Sequence, residues 1–194
     1  VCFVLSGRGA SDEMKIVKIS LGVLAGVIVL LLLGSLLIPS RWQVERSIDI
    51  GVAPGVVFPY INNLSKWPEW TSWYRREPRP VTQYSGPEEG VGARSTWQDA
   101  SGQGEMDITV SVPDWGITYN LSLGHGEFVA RGEILLAPID QGSGTRVTWR
   151  TRGDSGMNPL AKYVQLFMNP MIAADFQQSL ERLKQVLEAI PKNA

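Results

Sequence analysis

Residues 158–190 read NPLAKYVQLFMNPMIAADFQQSLERLKQVLEAI. Apolar side chains recur at Leu160, Val164, Phe167, Met171, Phe176, Leu180, Leu183, Leu187 and Ile190. Steps of three to five match one face of an α-helix. Asn158 suits an N-cap and Pro159 the first helical position. Pro170 lacks an N–H and crowds the preceding turn, so it is expected to kink or divide the helix. From Ala174 to Leu187 the pattern is amphipathic, with Glu181, Arg182, Lys184 and Glu188 on the wet side. Such a stripe needs a covering surface, and the chain upstream offers one kind, a sheet.

That sheet is read from alternation. Gln43–Ile50 forms a first strand. A short helix carrying Val56, Val57, Tyr60 and Ile61 follows, bent or ended at Pro59, then a second short segment from Lys66 through Trp70 to Tyr74. Further strands are expected at Val81–Tyr84, Ala93–Asp99, Glu105–Val112, Ile117–Leu123, Phe128–Leu136 and Arg146–Arg152. Met106, Ile108, Val110 and Val112 alternate with Glu105, Asp107, Thr109 and Ser111, the period-two signature of a sheet with one covered face. Connections this short exclude parallel β-α-β units. The expected fold is therefore α+β, a curved antiparallel sheet around a long C-terminal helix. A sheet and a cylinder do not match along their whole length, so a cavity between them is expected.

Upstream lies a different kind of sequence. Ile19–Ile38 is twenty residues without a charge, about 30 Å of helix at 1.5 Å per residue, the thickness of a bilayer's hydrocarbon core. A cleaved signal peptide would have a shorter apolar run and a small-x-small site. The run instead ends in Leu37-Ile38-Pro39-Ser40-Arg41-Trp42, which favours an uncleaved single-pass anchor. Lys15, Lys18 and Arg8 before the span, against Arg41 and Arg46 after it, lean toward a cytoplasmic N-terminus and an extracytoplasmic domain. Gly22 and Gly26 have the spacing of a helix-pairing face, a pattern that chance also produces in a Gly-tolerant span. The chain does not begin with Met, and Met14 stands directly before the apolar run. Residues 1–13 are therefore expected to be a polar extension that translation from Met14 would omit. Residues 15–38 are assigned to the transmembrane helix and 42–190 to the soluble domain.

Composition narrows the ligand. The formal net charge is −1, and leaving out the first forty residues removes three basic and two acidic side chains, so 15 and 17 remain. That is no footprint for nucleic acid. The single cysteine, Cys2, rules out an intrachain disulfide or a cysteine metal cluster. His125, the one histidine, lies between glycines in an expected turn with no second convergent ligand nearby in sequence, so neither a metal nor another cofactor is expected. There is no Gly-x-Ser-x-Gly, P-loop or dinucleotide fingerprint. Glu105, Asp107, Arg131 and Arg150 read as a solvated outer sheet face.

Several strings together resemble the START-like, or helix-grip, superfamily, in particular its polyketide cyclase/dehydrase and lipid-transport (SRPBCC) branch. They are Val44-Glu45-Arg46-Ser47-Ile48, Ala53-Pro54 with Val57-Phe58, Asn63-Leu64-Ser65-Lys66-Trp67-Pro68-Glu69-Trp70, Gly90-Val91-Gly92, Gly144-Thr145-Arg146-Val147-Thr148-Trp149, and Phe167–Leu187 with Asp175-Phe176-Gln177-Gln178-Ser179-Leu180-Glu181-Arg182-Leu183-Lys184. The resemblance spans about Trp42–Leu187. It implies a bacterial helix-grip domain holding a hydrophobic small molecule or lipid under the C-terminal helix, with Trp67, Trp70, Tyr119, Trp149, Phe167, Met168 and Met171 as candidate ligand contacts. Trp67, Trp70 and Trp73 serve equally as packing for the short helices, and Met157, Phe167, Met168 and Met171 as plain core. Two rivals stand beside this reading. A cyclase or dehydratase would need an inward polar group from Tyr60, Tyr119, Thr151, Arg94 or Asp99. A non-catalytic interaction or stress-response module would need an exposed apolar patch.

Overall fold

The computed structural model describes residues 10–75, 77–99, 102–126 and 128–190. Four α-helices and seven strands organise it, beginning with α1 at Ala10–Leu37 and β1 at Arg41–Ile50. Two short helices follow, α2 at Pro54–Asn62 and α3 at Trp67–Trp70. Then come β2 at Val81–Ser85, β3 at Arg94–Asp99, β4 at Gly102–Val112, β5 at Gly116–Leu123, β6 at Phe128–Ile139 and β7 at Gly144–Asp154, and α4 closes the chain at Pro159–Glu188. The strands make one antiparallel sheet in the order β1-β7-β6-β5-β4-β3-β2. This is the expected helix-grip arrangement. α1 starts at Ala10, inside the stretch expected to be a polar extension, and Val1–Gly9 lie outside the described residues.

The concave face is apolar because the pleat sends alternate residues inward. Val44, Ile50, Ile108, Ile117, Ile134, Val147 and Trp149 are all buried. On the convex face Arg150 pairs with Glu45 and Glu133, Arg152 with Glu133 at 3.6 Å, and Arg94 with Glu105 at 3.3 Å. Three aromatic rings lie flat on cross-strand glycines of the inner face. Trp42 faces Gly153, Trp97 faces Gly104 and Tyr119 faces Gly132. A Cβ on those glycines would stand 2.3, 2.3 and 2.0 Å from the ring, so only glycine leaves room.

α4 is one helix across Pro170, so the proline does not divide it. It differs from expectation in that its apolar positions are not one stripe. At about 100° per residue, the five-residue step from Met171 to Phe176 swings the pattern by about 140°. Ala173, Phe176, Leu180, Leu183 and Leu187 are buried against the domain. Leu160, Val164, Phe167, Met168 and Met171, roughly 150° round the same helix, are exposed, Phe167 at 75% and Leu160 at 72%. Spacing alone reads these as one face, since each step separately is helical.

The buried half is pinned by polar contacts at its rim. Ser179 Oγ accepts from Ser72 N (2.9 Å), Arg182 Nε donates to Glu69 O (2.7 Å), Lys184 Nζ donates to Asp49 O (2.9 Å), and Glu188 Oε1 accepts from Gly51 N (2.8 Å). The exposed half is pinned to α1. Asn158 caps it, its Oδ1 accepting from Leu160 N and Ala161 N, as the sequence suggests. Tyr163 OH donates to Leu31 O (2.8 Å), Lys162 Nζ to Ser35 O (3.1 Å) and Gln165 Nε2 to Pro39 O (2.7 Å).

Candidate functional site

The sequence-predicted contacts divide into two places. Trp67, Trp70, Tyr119 and Trp149 come together beneath the buried half of α4. Trp149, from the centre of β7, stacks on Phe176 at 4.1 Å between centroids and 6° between planes. Trp67, Trp70 and Trp73 meet Trp149 edge-on or tilted at 5.4–5.7 Å, and Trp67 meets Tyr119 at 5.6 Å. α3 can deliver Trp67 and Trp70 because their indole N–H groups donate to Ile61 O (3.0 Å) and Tyr60 O (3.2 Å) near the end of α2. Large rings with satisfied N–H groups suit a dry interior. The space between the curved sheet and α4 is, along this length, filled by these rings. Phe167, Met168 and Met171 are elsewhere, on the outward stripe of α4.

Below the aromatic block, at the end of the sheet where β1 follows α1, closure is incomplete. Trp97, Leu121, Leu123 and Phe128 are half-buried there. Trp42 stacks on Phe128 at 5.6 Å. Around the sheet end runs an open groove of about 520 Å³, lined by Arg41, Trp42, Gln43, Arg152, Gly153 and Asp154. Trp42 and Gly153 belong to its concave side, and Gln43 and Arg152, joined by a 2.9 Å hydrogen bond, to its convex side.

Polar groups inside are few. Tyr119 OH accepts from Trp149 Nε1 at 2.8 Å. Burial pushes its phenol up to about 12, against the opposing pull of Trp149 and Thr151, so it stays neutral at physiological pH. Two buried side-chain atoms among the described residues lack a partner of good geometry, Thr151 Oγ1 on β7 and Asn169 Oδ1 on α4. Buried polar atoms are nearly always paired, so such exceptions mark places where a ligand atom or water can bind. Of the other polar candidates, Arg94 is committed to Glu105 on the outside, and Tyr60 lies 5.0 Å beneath the Lys66 ammonium. The side chains of Asp99 and His125 lie outside the described residues. No group of three potential metal ligands occurs among the described residues. Sequence reasoning did not find Tyr163, Gln165 or Asn169. A polar residue every few positions on an otherwise apolar helix start was the available signal.

Residues 41–188 match the family described as polyketide cyclase / dehydrase and lipid transport. No curated protein matches the chain. Similar solved structures include protein MLL2253 of Mesorhizobium loti (TM-score 0.58, 15% identity, covering 77% of this chain and 99% of that one). Ara h 8.0201 is similar at TM-score 0.53 and 16% identity, covering 77% and 99%. So is DynU16, from the dynemicin biosynthetic locus, at TM-score 0.53 and 14% identity, covering 76% of this chain and 47% of that one. At these identities the likeness concerns the fold.

Proposed function

The chain belongs to the polyketide cyclase / dehydrase and lipid-transport family, and from that premise we propose that it binds a hydrophobic small molecule or lipid while α1 holds it to a bilayer. The observation that carries the reading is the incomplete closure of the concave face at the sheet end next to α1. Half-buried Leu121, Leu123, Phe128 and Trp97 offer apolar surface there, and removing it from water is worth about 25 cal/mol per Å² before ordering costs. Trp42 and the groove between Arg41 and Arg152 would receive the ligand's polar end. Trp67, Trp70, Tyr119 and Trp149 form the floor, and Phe167, Met168 and Met171 the approach from the membrane side. α1 favours this arrangement. It is the one helix among the described residues long and apolar enough to cross a membrane, and it is exposed along its length except near Gly34 and Ser35. A ligand that dissolves in lipid would meet the groove without crossing water. The neutral Tyr119 phenol supplies a hydrogen bond rather than a base, which favours binding over cyclase chemistry.

A photoactivatable apolar probe, irradiated with the full chain in nanodiscs, tests this. Labelled peptides from β5 and β6 around Leu121 and Phe128 are the expected result. Labelling confined to α1 and the outward stripe of α4 would contradict it.

A further inference from the structure

An outward apolar stripe on a helix that is itself joined to a membrane span needs an occupant. We propose that the N-terminal half of α4 is an interfacial membrane helix, its stripe Leu160, Val164, Phe167, Met168 and Met171 inserted at the headgroup–acyl boundary beside α1. The proposal rests on the reading of α1 as a bilayer span.

The contacts between α4 and α1 set both direction and depth. Gln165 reaches Pro39, past the end of α1, whereas Tyr163 reaches back to Leu31 inside it. Tyr163 lies one turn from both Leu160 and Phe167, and Gln165 lies about 160° round the helix from Phe167. The stripe therefore sits on the span side of α4 and the polar contact on the domain side. Leu31 precedes Ile38, the last residue of the apolar run, by seven residues, or about 10 Å. Interfacial helices bury their apolar face by about 5–10 Å, so the depths agree. The Tyr163 ring, resting on Gly34 where a Cβ would stand 2.6 Å from its hydroxyl, takes the place of an aromatic-belt residue. Lys162, about 140° round α4 from Phe167, donates to Ser35 O from the face turned away from the stripe. α1 itself is apolar and exposed at Leu30, Leu33, Leu36 and Leu37, on the sides turned away from α4. With α1 alone the domain would swing on Pro39 and Ser40. With α4 seated as well, it lies fixed against the lipid, its open sheet end facing the surface.

Depth-resolved quenching tests this on the full chain in liposomes. With Cys2→Ser as background, an environment-sensitive fluorophore is placed in turn at Phe167→Cys on the stripe, Val129→Cys on the exposed convex face, and Leu24→Cys within α1. Shallow doxyl-labelled lipid should quench the Phe167 position several-fold more than the Val129 position, and deep doxyl lipid should quench the Leu24 position most. Phe167 quenched no more than Val129, with Leu24 still quenched, overturns the interfacial helix and leaves the span standing. Leu24 unquenched overturns the span and the proposal with it. A blue-shifted Phe167 reporter that doxyl lipid does not quench, with crosslinked dimers, assigns the stripe to a second copy and likewise overturns the proposal.

Discussion

Tyr119 shows how one residue ties the core to its chemistry. Its ring lies on Gly132, its hydroxyl accepts from Trp149, and it is fully buried among the aromatic block. Burial raises the phenol from 10.0 to about 12. Between those values the unfolded chain has released a proton that the folded chain still holds, so stability is intact below pH 10 and falls as pH rises toward 12. Two pKa units correspond to about 3 kcal/mol over that window. Tyr119→Phe should therefore flatten the alkaline limb of a stability–pH profile measured by urea unfolding. An unchanged limb would show that the phenol is not shielded as described. None of this is written in the sequence around Tyr119, which reads only as an inward strand position. The pairing of Tyr119 with Gly132 depends on strand register, which turn lengths and alternation leave loose.

α4 carries the contrast between what was legible and what was not. Its existence, its Asn158 cap and its role as the covering helix follow from local patterning. The division of its apolar residues between two faces does not, because it turns on one five-residue step, and only packing shows which side the domain takes. The same division separated the candidate contacts. Trp67, Trp70, Tyr119 and Trp149 converge because the sheet and α3 bring them together, and Phe167, Met168 and Met171 do not because they precede that step. Phe176 and Phe167 make the difference measurable, being the same residue nine positions apart on one helix. Phe176→Ala removes the ring stacked on Trp149 and should cost about 3–5 kcal/mol. Phe167→Ala should change domain stability by no more than about 0.5 kcal/mol in mild detergent. Thermal unfolding followed by near-UV circular dichroism reads both. Equal losses would mean that α4 packs through both faces.

At the scale of the whole molecule the parts share one direction. The convex face is charged and faces water, the middle of the concave face is shut by aromatic rings, and the sheet end beside α1 is left half open. On the proposed reading, with α1 in a bilayer, that opening lies where a lipid-soluble ligand would meet it. Native mass spectrometry of the full chain released from nanodiscs, compared with Leu123→Trp, which puts a ring into the half-open end, tests the claim most directly. One apolar molecule of defined mass should stay with each wild-type chain and be lost from the variant. A wild-type chain that flies bare, or an adduct that Leu123→Trp leaves unchanged, would contradict it.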